Sequence, residues 1–469
     1  MRIFVTVAGL AVLAGCATPR DRALMTDAIA PPPAFVTEYR LPAGTDGPWW
    51  RGFGDAELDS TVQRALTDNL TIAAARDRMA AARAAVRAER SDLFPSVSAD
   101  AGVEASGLVS DRLETDPVGG LGVLFNIDLN GRLSREIEVA AARARASAYL
   151  LSDARRLVAA ATVQQYVELR RAEARLALIE ESTELQQRTL RIVELRYGAG
   201  LSANLDVRRA AADLAQTEAQ RGVLALQRAQ AARALSVLVG ETPQPLPPAP
   251  ADPALPAFAG GPPTGVPADL LRRRPDLLVA EANLAEAAAL VGVERADLFP
   301  ALALSGRISV GDSFGAGLID RLLGSVAAIL DVTLLDGGRR RAEITAARAE
   351  ADARFDDYRQ TLLDALREVE NALVAIESYS DRSAKLRDAI EQSESAFSQS
   401  NALYREGLTS LFDVLDAQRQ LIASRQSLID SDAQIAFAIV DLYAAVGASW
   451  DQNEAAGAGV EGSRPQPPG

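Results

Sequence analysis

Four segments of the chain alternate between apolar and more polar positions, and the first of them does so strictly. In the first of them, the odd positions from Val97 to Ala105 are apolar, and the even positions include Asp100 and Glu104. A period of two is typical of a β-strand with one apolar and one polar face. The pattern predicts strands at about 96–106, 118–129, 301–311 and 324–335. The ionisable side chains that we expect on the shared polar face are Asp100, Glu104, Asp128, Arg307 and Asp331.

Helix-forming residues fill most of the remaining chain. Two stretches of almost 70 residues, about 132–197 and 339–404, are rich in Ala, Arg, Glu and Leu and contain no internal proline or glycine. At 1.5 Å per residue, each helix would span roughly 100 Å and must pack against other helices along its length. Shorter helices are predicted at about 57–92, 204–239, 268–297 and 411–447. The fold class is therefore mainly α with a small β part.

The same order of elements occurs twice because the chain contains an internal duplication. Residues 89–95 read Glu-Arg-Ser-Asp-Leu-Phe-Pro, and residues 294–300 read Glu-Arg-Ala-Asp-Leu-Phe-Pro. The turn Tyr197–Ser202 is matched by Tyr404–Thr409. The predicted organisation is repeat 1 at 56–241, a Pro-rich connector at 242–266, repeat 2 at 267–450 and a disordered tail at 451–469.

The alternating segments are predicted to face a membrane. Each is about as long as a tilted membrane-spanning strand. Half-buried strands of a soluble sheet are the alternative, but the predicted helices are too long to cover four strands as a globular layer. Four strands are also too few to close a barrel, and open sheet edges cannot be satisfied in hydrocarbon. We therefore expect three chains to share a 12-stranded barrel, in preference to two chains sharing eight strands, with the polar face towards the lumen.

The N-terminus predicts export and lipid attachment. Arg2 and the apolar run after it resemble a secretory signal peptide at residues 1–15, too short to count as a membrane-spanning helix. The sequence Leu13-Ala14-Gly15-Cys16 resembles a bacterial lipobox, which implies lipidation of Cys16. Residues 16–55 would then be a tether and an equatorial segment. An ordinary signal peptide with an incidental cysteine is the alternative.

Composition excludes several functional classes. The chain contains no histidine and one cysteine, so Ser-His-Asp and Cys-His catalysis and His- or multi-Cys-ligated metal sites are impossible. The formal net charge of −14 disfavours nucleic acid as a partner. Carboxylate catalysis is compatible with the composition, but clusters such as Glu368 and Glu370 fit solvated helix faces better. We expect no cofactor, no metal and no enzymatic activity.

Two motifs resemble a known family. The pattern Trp49-Trp50 … Phe53-Gly54-Asp55 is similar to the start of mature outer-membrane efflux factors of the TolC-like superfamily. Residues 270–277, Leu-Leu-Arg-Arg-Arg-Pro-Asp-Leu, resemble the middle signature of its lipoprotein branch, the NodT/OprM-like outer-membrane components of resistance–nodulation–division efflux pumps. The resemblance covers roughly residues 48–450.

The resemblance implies a homotrimeric duct with an outer-membrane β-barrel and a periplasmic α-helical tunnel. Its implied partners are a periplasmic adaptor protein, an inner-membrane efflux pump and outer-membrane lipid. The implied function is passive conduction of small molecules to the exterior. A duct for type I protein secretion is the alternative within the family, and a non-channel coiled-coil envelope scaffold is the alternative from another class. The residues implied at the adaptor-facing tips are Tyr197, Gly200, Leu201, Tyr404, Gly407 and Leu408.

The resemblance also implies a periplasmic aperture formed by Phe412, Asp413 and Asp416. Three copies of a carboxylate around an axis form a ring that favours cations. The alternative is that both aspartates stabilise the N-terminus of the returning helix through its dipole. Asp206, at the equivalent position of repeat 1, is predicted to be a cap. Thr409 stands where TolC has an arginine that locks the closed state, so we expect a different lock here.

Overall fold

The computed structural model describes residues 36, 48–106, 114–250, 253–259, 274–310 and 322–447. Cys16 and the predicted tail at 451–469 lie outside this part of the chain. A short 3-10 helix at Trp49–Phe53 precedes the main elements. The helices and strands in chain order are α1 Ala56–Asp68, α2 Leu70–Ser91, β1 Ser96–Ser106, β2 Glu114–Ile127, α3 Arg132–Gly198, α4 Asn204–Leu238, α5 Pro275–Ala296, β3 Ala301–Val310, β4 Leu322–Asp331, α6 Arg339–Arg405 and α7 Leu411–Val446.

The two repeats share one plan of helix, strand pair, long helix and returning helix. The long helices α3 and α6 contain 67 residues each. Each begins after a glycine with positive φ, Gly131 at 75° and Gly338 at 89°, a backbone conformation that other residues rarely adopt. In the described residues, no helix has both the length and the apolar character that crossing a membrane requires.

The helix predicted at 57–92 is interrupted at Asn69, which corrects the prediction of one continuous helix. The backbone of Asn69 is extended, with ψ at 127°. Its side-chain oxygen accepts the N–H groups of Thr71 at 2.8 Å and Ile72 at 3.2 Å, and its amide donates to the carbonyl of Leu238 at 2.8 Å. Asparagine competes with helical hydrogen bonding in this way, so α1 ends and α2 begins here.

The long helix α3 is covered by different partners along its length. Near the strands, Val139 of α3 packs with Ala289 and Val293 of α5. Near the far end, Val193 of α3 lies in one buried cluster with Ala210 of α4 and Leu411 of α7. Shorter helices therefore cover one long helix in succession, as the element lengths predict.

Aromatic side chains form part of the core near the middle of the long helices α3 and α6. Trp49 stacks on Tyr443 of α7 with ring centroids 5.1 Å apart. Phe53 and Phe258 meet edge to face at 4.9 Å, and Phe258 lies 5.5 Å from Tyr443. Trp49 lies in the segment before α1, and Phe258 lies in the connector between α4 and α5. This cluster therefore holds both segments against α7.

Two arginines fix the C-terminal end of α7. Arg156 of α3 donates to the carbonyl of Ala444 at 2.9 Å, and Arg274 donates to the carbonyl of Ala445 at 2.8 Å. The last carbonyls of a helix lack partners within the helix, and cations stabilise them. The Arg274 guanidinium also contacts the carboxylates of Asp276 at 2.6 Å and Glu368 at 2.9 Å. Arg274, from the middle signature, therefore joins three helices.

The four strands form one antiparallel sheet in the order β1-β2-β3-β4. β2 begins at Glu114, earlier than predicted, because residues 114–118 continue to pair with β1. β4 ends at Asp331 and not near 335, because the following residues turn into α6. In that turn the carboxylate of Asp336 accepts the N–H of Gly338 at 2.9 Å.

Candidate functional site

One face of the sheet is apolar and exposed. Paired residues share a face, and the register pairs Val97 with Val123 and Leu121 with Ile308. Val97 is 71% exposed and Val326, on the same face, is 91% exposed. A contiguous apolar surface of this kind marks a membrane or protein contact.

The opposite face carries the predicted charged residues. Arg307 of β3 reaches across β2 and forms an ion pair with Asp100 of β1 at 2.7 Å. The strand between them has Gly120 at the crossing point, where an added Cβ would lie only 3.1 Å from the Arg307 guanidinium. Asp331 of β4 pairs with Ala301, an even number of residues from Arg307, and therefore lies on the same face.

The other two predicted lumen residues differ. Glu104 lies in β1 at the same parity as Asp100, but its side chain is outside the described set. Asp128 lies one residue beyond β2, which corrects its prediction as a strand residue facing the lumen. Its carboxylate accepts the N–H groups of Leu133 and Ser134, both at 3.0 Å. Asp128 therefore stabilises the first turn of α3.

The two turns far from the sheet have the same backbone structure. Gly200 and Gly407 both have φ of 75°, and each donates to the carbonyl three residues before it. Leu201 and Leu408 then donate to the carbonyls five residues back, which closes each long helix in a Schellman motif. Leu201 and Leu408 are 69% and 73% exposed, so the apex of each turn presents an apolar side chain.

The tyrosines of the two turns differ in exposure, and the two turns contact each other through Arg196 and Tyr404. Arg196 of α3 lies over the ring of Tyr404 at 4.9 Å and donates to the carbonyls of Tyr404 and Arg405. Tyr404 is only 7% exposed, whereas Tyr197 is 49% exposed. Tyr404 is therefore a core residue, which corrects its prediction as a tip residue available to a partner. Tyr197 keeps an exposed ring.

Asp413 forms a capping box at the start of α7. The hydroxyls of Thr409 and Ser410 donate to its carboxylate at 2.5 and 2.7 Å, and the N–H of Ser410 donates at 3.1 Å. These hydrogen bonds, that of Thr409 first, hold the pKa of Asp413 below its usual range. The geometry matches the helix-terminus alternative. In repeat 1, Asp206 accepts the hydroxyl of Ser202 at 2.8 Å and stabilises the turn before α4.

We expect Ser410→Ala to destabilise the start of α7 by about 1 kcal/mol, because the N-cap hydroxyl that accepts the Asp413 N–H is lost. Hydrogen exchange of the first amides of α7 should accelerate, and Ser395→Ala, an exposed site in the C-terminal part of α6, is the control. The lowered pKa means that the capping box is intact above that pKa and weakens as the pH falls through it. Unchanged exchange in Ser410→Ala would contradict this role.

Phe412, Asp416 and Arg419 form an exposed stripe on α7. Their spacing of four and three residues places them on one helix face. Phe412 is half exposed, and the side chain of Asp416 is 66% exposed. Arg419 donates to the carboxylate of Asp213 on α4 at 3.1 Å and lies 3.9 Å from Asp416. Sequence reasoning missed Asp213, because only the fold brings α4 of repeat 1 to this stripe.

Comparisons with known proteins agree with this arrangement. The family described as "Outer membrane efflux protein" matches residues 61–241 and 266–448, one match for each repeat. The chain is similar to the pyoverdine export outer membrane protein OpmQ of Pseudomonas putida, with 31% identity over 93% of this chain and 95% of the relative. It is 30% identical to the outer membrane protein OprJ of Pseudomonas aeruginosa over 86% of each. The solved outer-membrane channel OprN superposes with a TM-score of 0.79, 31% identity and coverage of 90% of this chain and 99% of that one.

Proposed function

Because the chain belongs to the outer membrane efflux protein family, we propose that it is the outer-membrane channel component of a tripartite efflux system. It conducts small molecules passively from a periplasmic adaptor protein and an inner-membrane pump to the exterior. It performs no catalysis, since the energy comes from the pump. Its similarity to a protein named for pyoverdine export and to an outer-membrane channel supports this function.

The sheet carries the proposal. It combines an exposed apolar face, a face with ion-paired charges and two outer strands, β1 and β4, each paired on one side in the described residues. In hydrocarbon, such edges must be closed by further strands. β1 and β4 run in opposite directions, so β4 of one copy fits antiparallel beside β1 of the next. Three copies then close a 12-stranded barrel with Asp100, Arg307 and Asp331 lining the lumen.

The helices extend this barrel as a periplasmic tunnel, and the N-terminus anchors it. Each long helix of 67 residues is about 100 Å in length. The lipid that we propose on Cys16 adds a second attachment to the outer membrane, because buried acyl chains contribute about 0.8 kcal/mol per methylene.

The exposed stripe of α7 forms the proposed periplasmic aperture. In a trimer, three copies of Asp416 create the negative ring, and three copies of Phe412 narrow it. Asp413 adds negative charge from its capping position, since its carboxylate stays exposed. Arg419 ties α7 to Asp213 of α4 and thereby joins the two repeats. This bond takes the place of the lock that TolC has at the position of Thr409.

The turns of repeat 1 and repeat 2 form the proposed adaptor contact. Leu201 and Leu408 project from the two apices, and Tyr197 exposes its ring beside the first. Exposed apolar side chains at the end of a long assembly are suited to a second protein's apolar tip. Gly200 and Gly407 shape these turns through their positive φ.

Cysteine crosslinking in cells tests the adaptor contact. The only native cysteine is Cys16, so a single introduced cysteine can be followed alone in a Cys16→Ser background with an ordinary signal peptide. We expect Leu201→Cys and Leu408→Cys to crosslink to one periplasmic protein, identified by mass spectrometry as an adaptor. Asp356→Cys, an exposed site near the strand end of α6, is the matched control.

Equal crosslinking from Asp356→Cys and from the turn positions would contradict the adaptor site. Failure of all three cysteines to crosslink, with the protein present in the outer membrane, would count against the tripartite assembly itself.

A further inference from the structure

Two buried glutamines, one on α3 and one on α7, lack complete hydrogen bonding. Gln418 of α7 is 1% exposed and Gln186 of α3 is 4% exposed. In the described part of the chain, neither polar atom of the Gln418 amide has a hydrogen-bond partner, and the side-chain oxygen of Gln186 has none. Most buried polar groups in proteins are satisfied, so such groups call for an explanation.

The heptad spacing of the two helices places these glutamines in one layer. Val193 and Leu411 belong to the same buried cluster near the turns. Gln186 lies seven residues before Val193, and Gln418 lies seven residues after Leu411. Because α3 and α7 are antiparallel, as the Glu181–Arg425 ion pair at 3.1 Å also indicates, one heptad along both helices leads to the same level. The glutamine layer lies about 10 Å from the apolar cluster.

The two ends of α7 are held with different strength. At the C-terminal end, Arg156 and Arg274 bind the last carbonyls, and Tyr443 stacks on Trp49. The N-terminal half has the apolar cluster, the exposed Arg419–Asp213 bond, the glutamine layer and then the partly exposed Arg425–Glu181 ion pair. Buried groups without partners destabilise the packed state, because separation would return them to water.

We propose that Gln186 and Gln418 form a weak layer that lets the N-terminal half of α7 separate from α3 when the duct opens. Gln418 lies between Asp416 and Arg419 in sequence but on the buried side of the helix. Separation at this layer therefore moves the aperture residues. The weakness of the layer stands on the packing alone, whereas its use in opening rests on the proposed channel function.

Hydrogen exchange of the purified full-length protein tests the layer directly. In Gln186→Leu/Gln418→Leu, the amides of residues 411–425 should exchange at least about tenfold more slowly, because leucine fills a similar volume without a polar group. The control is Gln426→Leu on the same helix, which removes a satisfied bond to Gln220 at 3.2 Å and should give no slowing. Gln418→Met is a second variant in case the double variant does not fold.

Unchanged or faster exchange in the leucine and methionine variants would overturn the proposal. Single-channel recordings in the Arg419→Ala background separate it from the channel function. The double leucine variant should reduce the open time at least about tenfold. Openings with unchanged open time would overturn the role in opening. Slower exchange with no openings in any variant would support the weak layer and contradict the channel.

Discussion

Replacing Arg274 with alanine is expected to lower the free energy of unfolding by about 3 kcal/mol. Arg274 is 2% exposed, and its guanidinium bonds to Asp276, Glu368 and the carbonyl of Ala445. Its removal leaves two carboxylates and a helix-terminal carbonyl without their cation. The effect lies at the lower end for a buried ion pair, because Asp276 and Glu368 stay partly in water.

The measurement is the unfolding of the purified protein in guanidinium chloride, followed by circular dichroism. Arg354→Ala is the matched control, because that arginine forms exposed pairs with Glu350 and Asp357 and should change stability by less than about 1 kcal/mol. A loss in Arg274→Ala no larger than in this control would show that the middle signature does not stabilise the fold.

The same site gives a pH dependence. Burial alone would raise the pKa of Asp276, but the hydrogen bond and charge of Arg274 lower it. A carboxyl group with a lowered pKa stabilises the fold above its unfolded pKa, and this contribution is lost as the pH falls through the folded value. The acid-induced loss of stability should therefore be shallower in Arg274→Ala.

Asp416→Lys is expected to reverse the ion preference of the channel. Three carboxylates at the proposed aperture become three ammonium groups, so the ratio of cation to anion permeability should fall on the order of tenfold or more. The side chain of Asp416 is 66% exposed, so the substitution leaves the helix packing intact. The measurement is the reversal potential across a planar bilayer in a salt gradient.

Asp388→Lys on α6 is the control for the change in net charge, because the side chain of Asp388 is also mostly exposed. The same shift in both variants would assign selectivity to the overall charge of the tunnel and not to the aperture ring.

The fold was predictable from the sequence because of its hydrophobic periodicity and the residues that end its helices. The alternation of Val97–Ala105 predicts a strand because successive side chains of a strand point to opposite faces of the sheet. The glycines that flank α3 and α6 mark the helix ends, since few other residues adopt the positive φ found there. Asn69 interrupts a helix through its own side chain, and a helix-period pattern does not record this competition.

Side-chain partners could not be predicted in the same way. The sequence predicts that Asp128 faces the lumen and that Asp413 lines the aperture. In the structure, their carboxylates accept hydrogen bonds from nearby backbone N–H groups or hydroxyls and stabilise helix starts. Tyr404 and Tyr197 occupy equivalent positions, yet only Tyr404 is buried, because Arg196 and α7 cover it. The Arg419–Asp213 bond depends on the packing of α4 against α7, which no local pattern specifies.

Single-channel recording in planar bilayers tests most directly whether this chain forms a gated aqueous duct. An exposed ion pair contributes about 0.2–1 kcal/mol, and the proposed trimer would contain three Arg419–Asp213 pairs. We therefore expect rare conductance steps from the wild-type protein and open time greater by on the order of tenfold in Arg419→Ala, with Arg354→Ala like the wild type. Absence of conductance steps from both the wild-type protein and Arg419→Ala, when both are folded and inserted in the bilayer, would contradict the account.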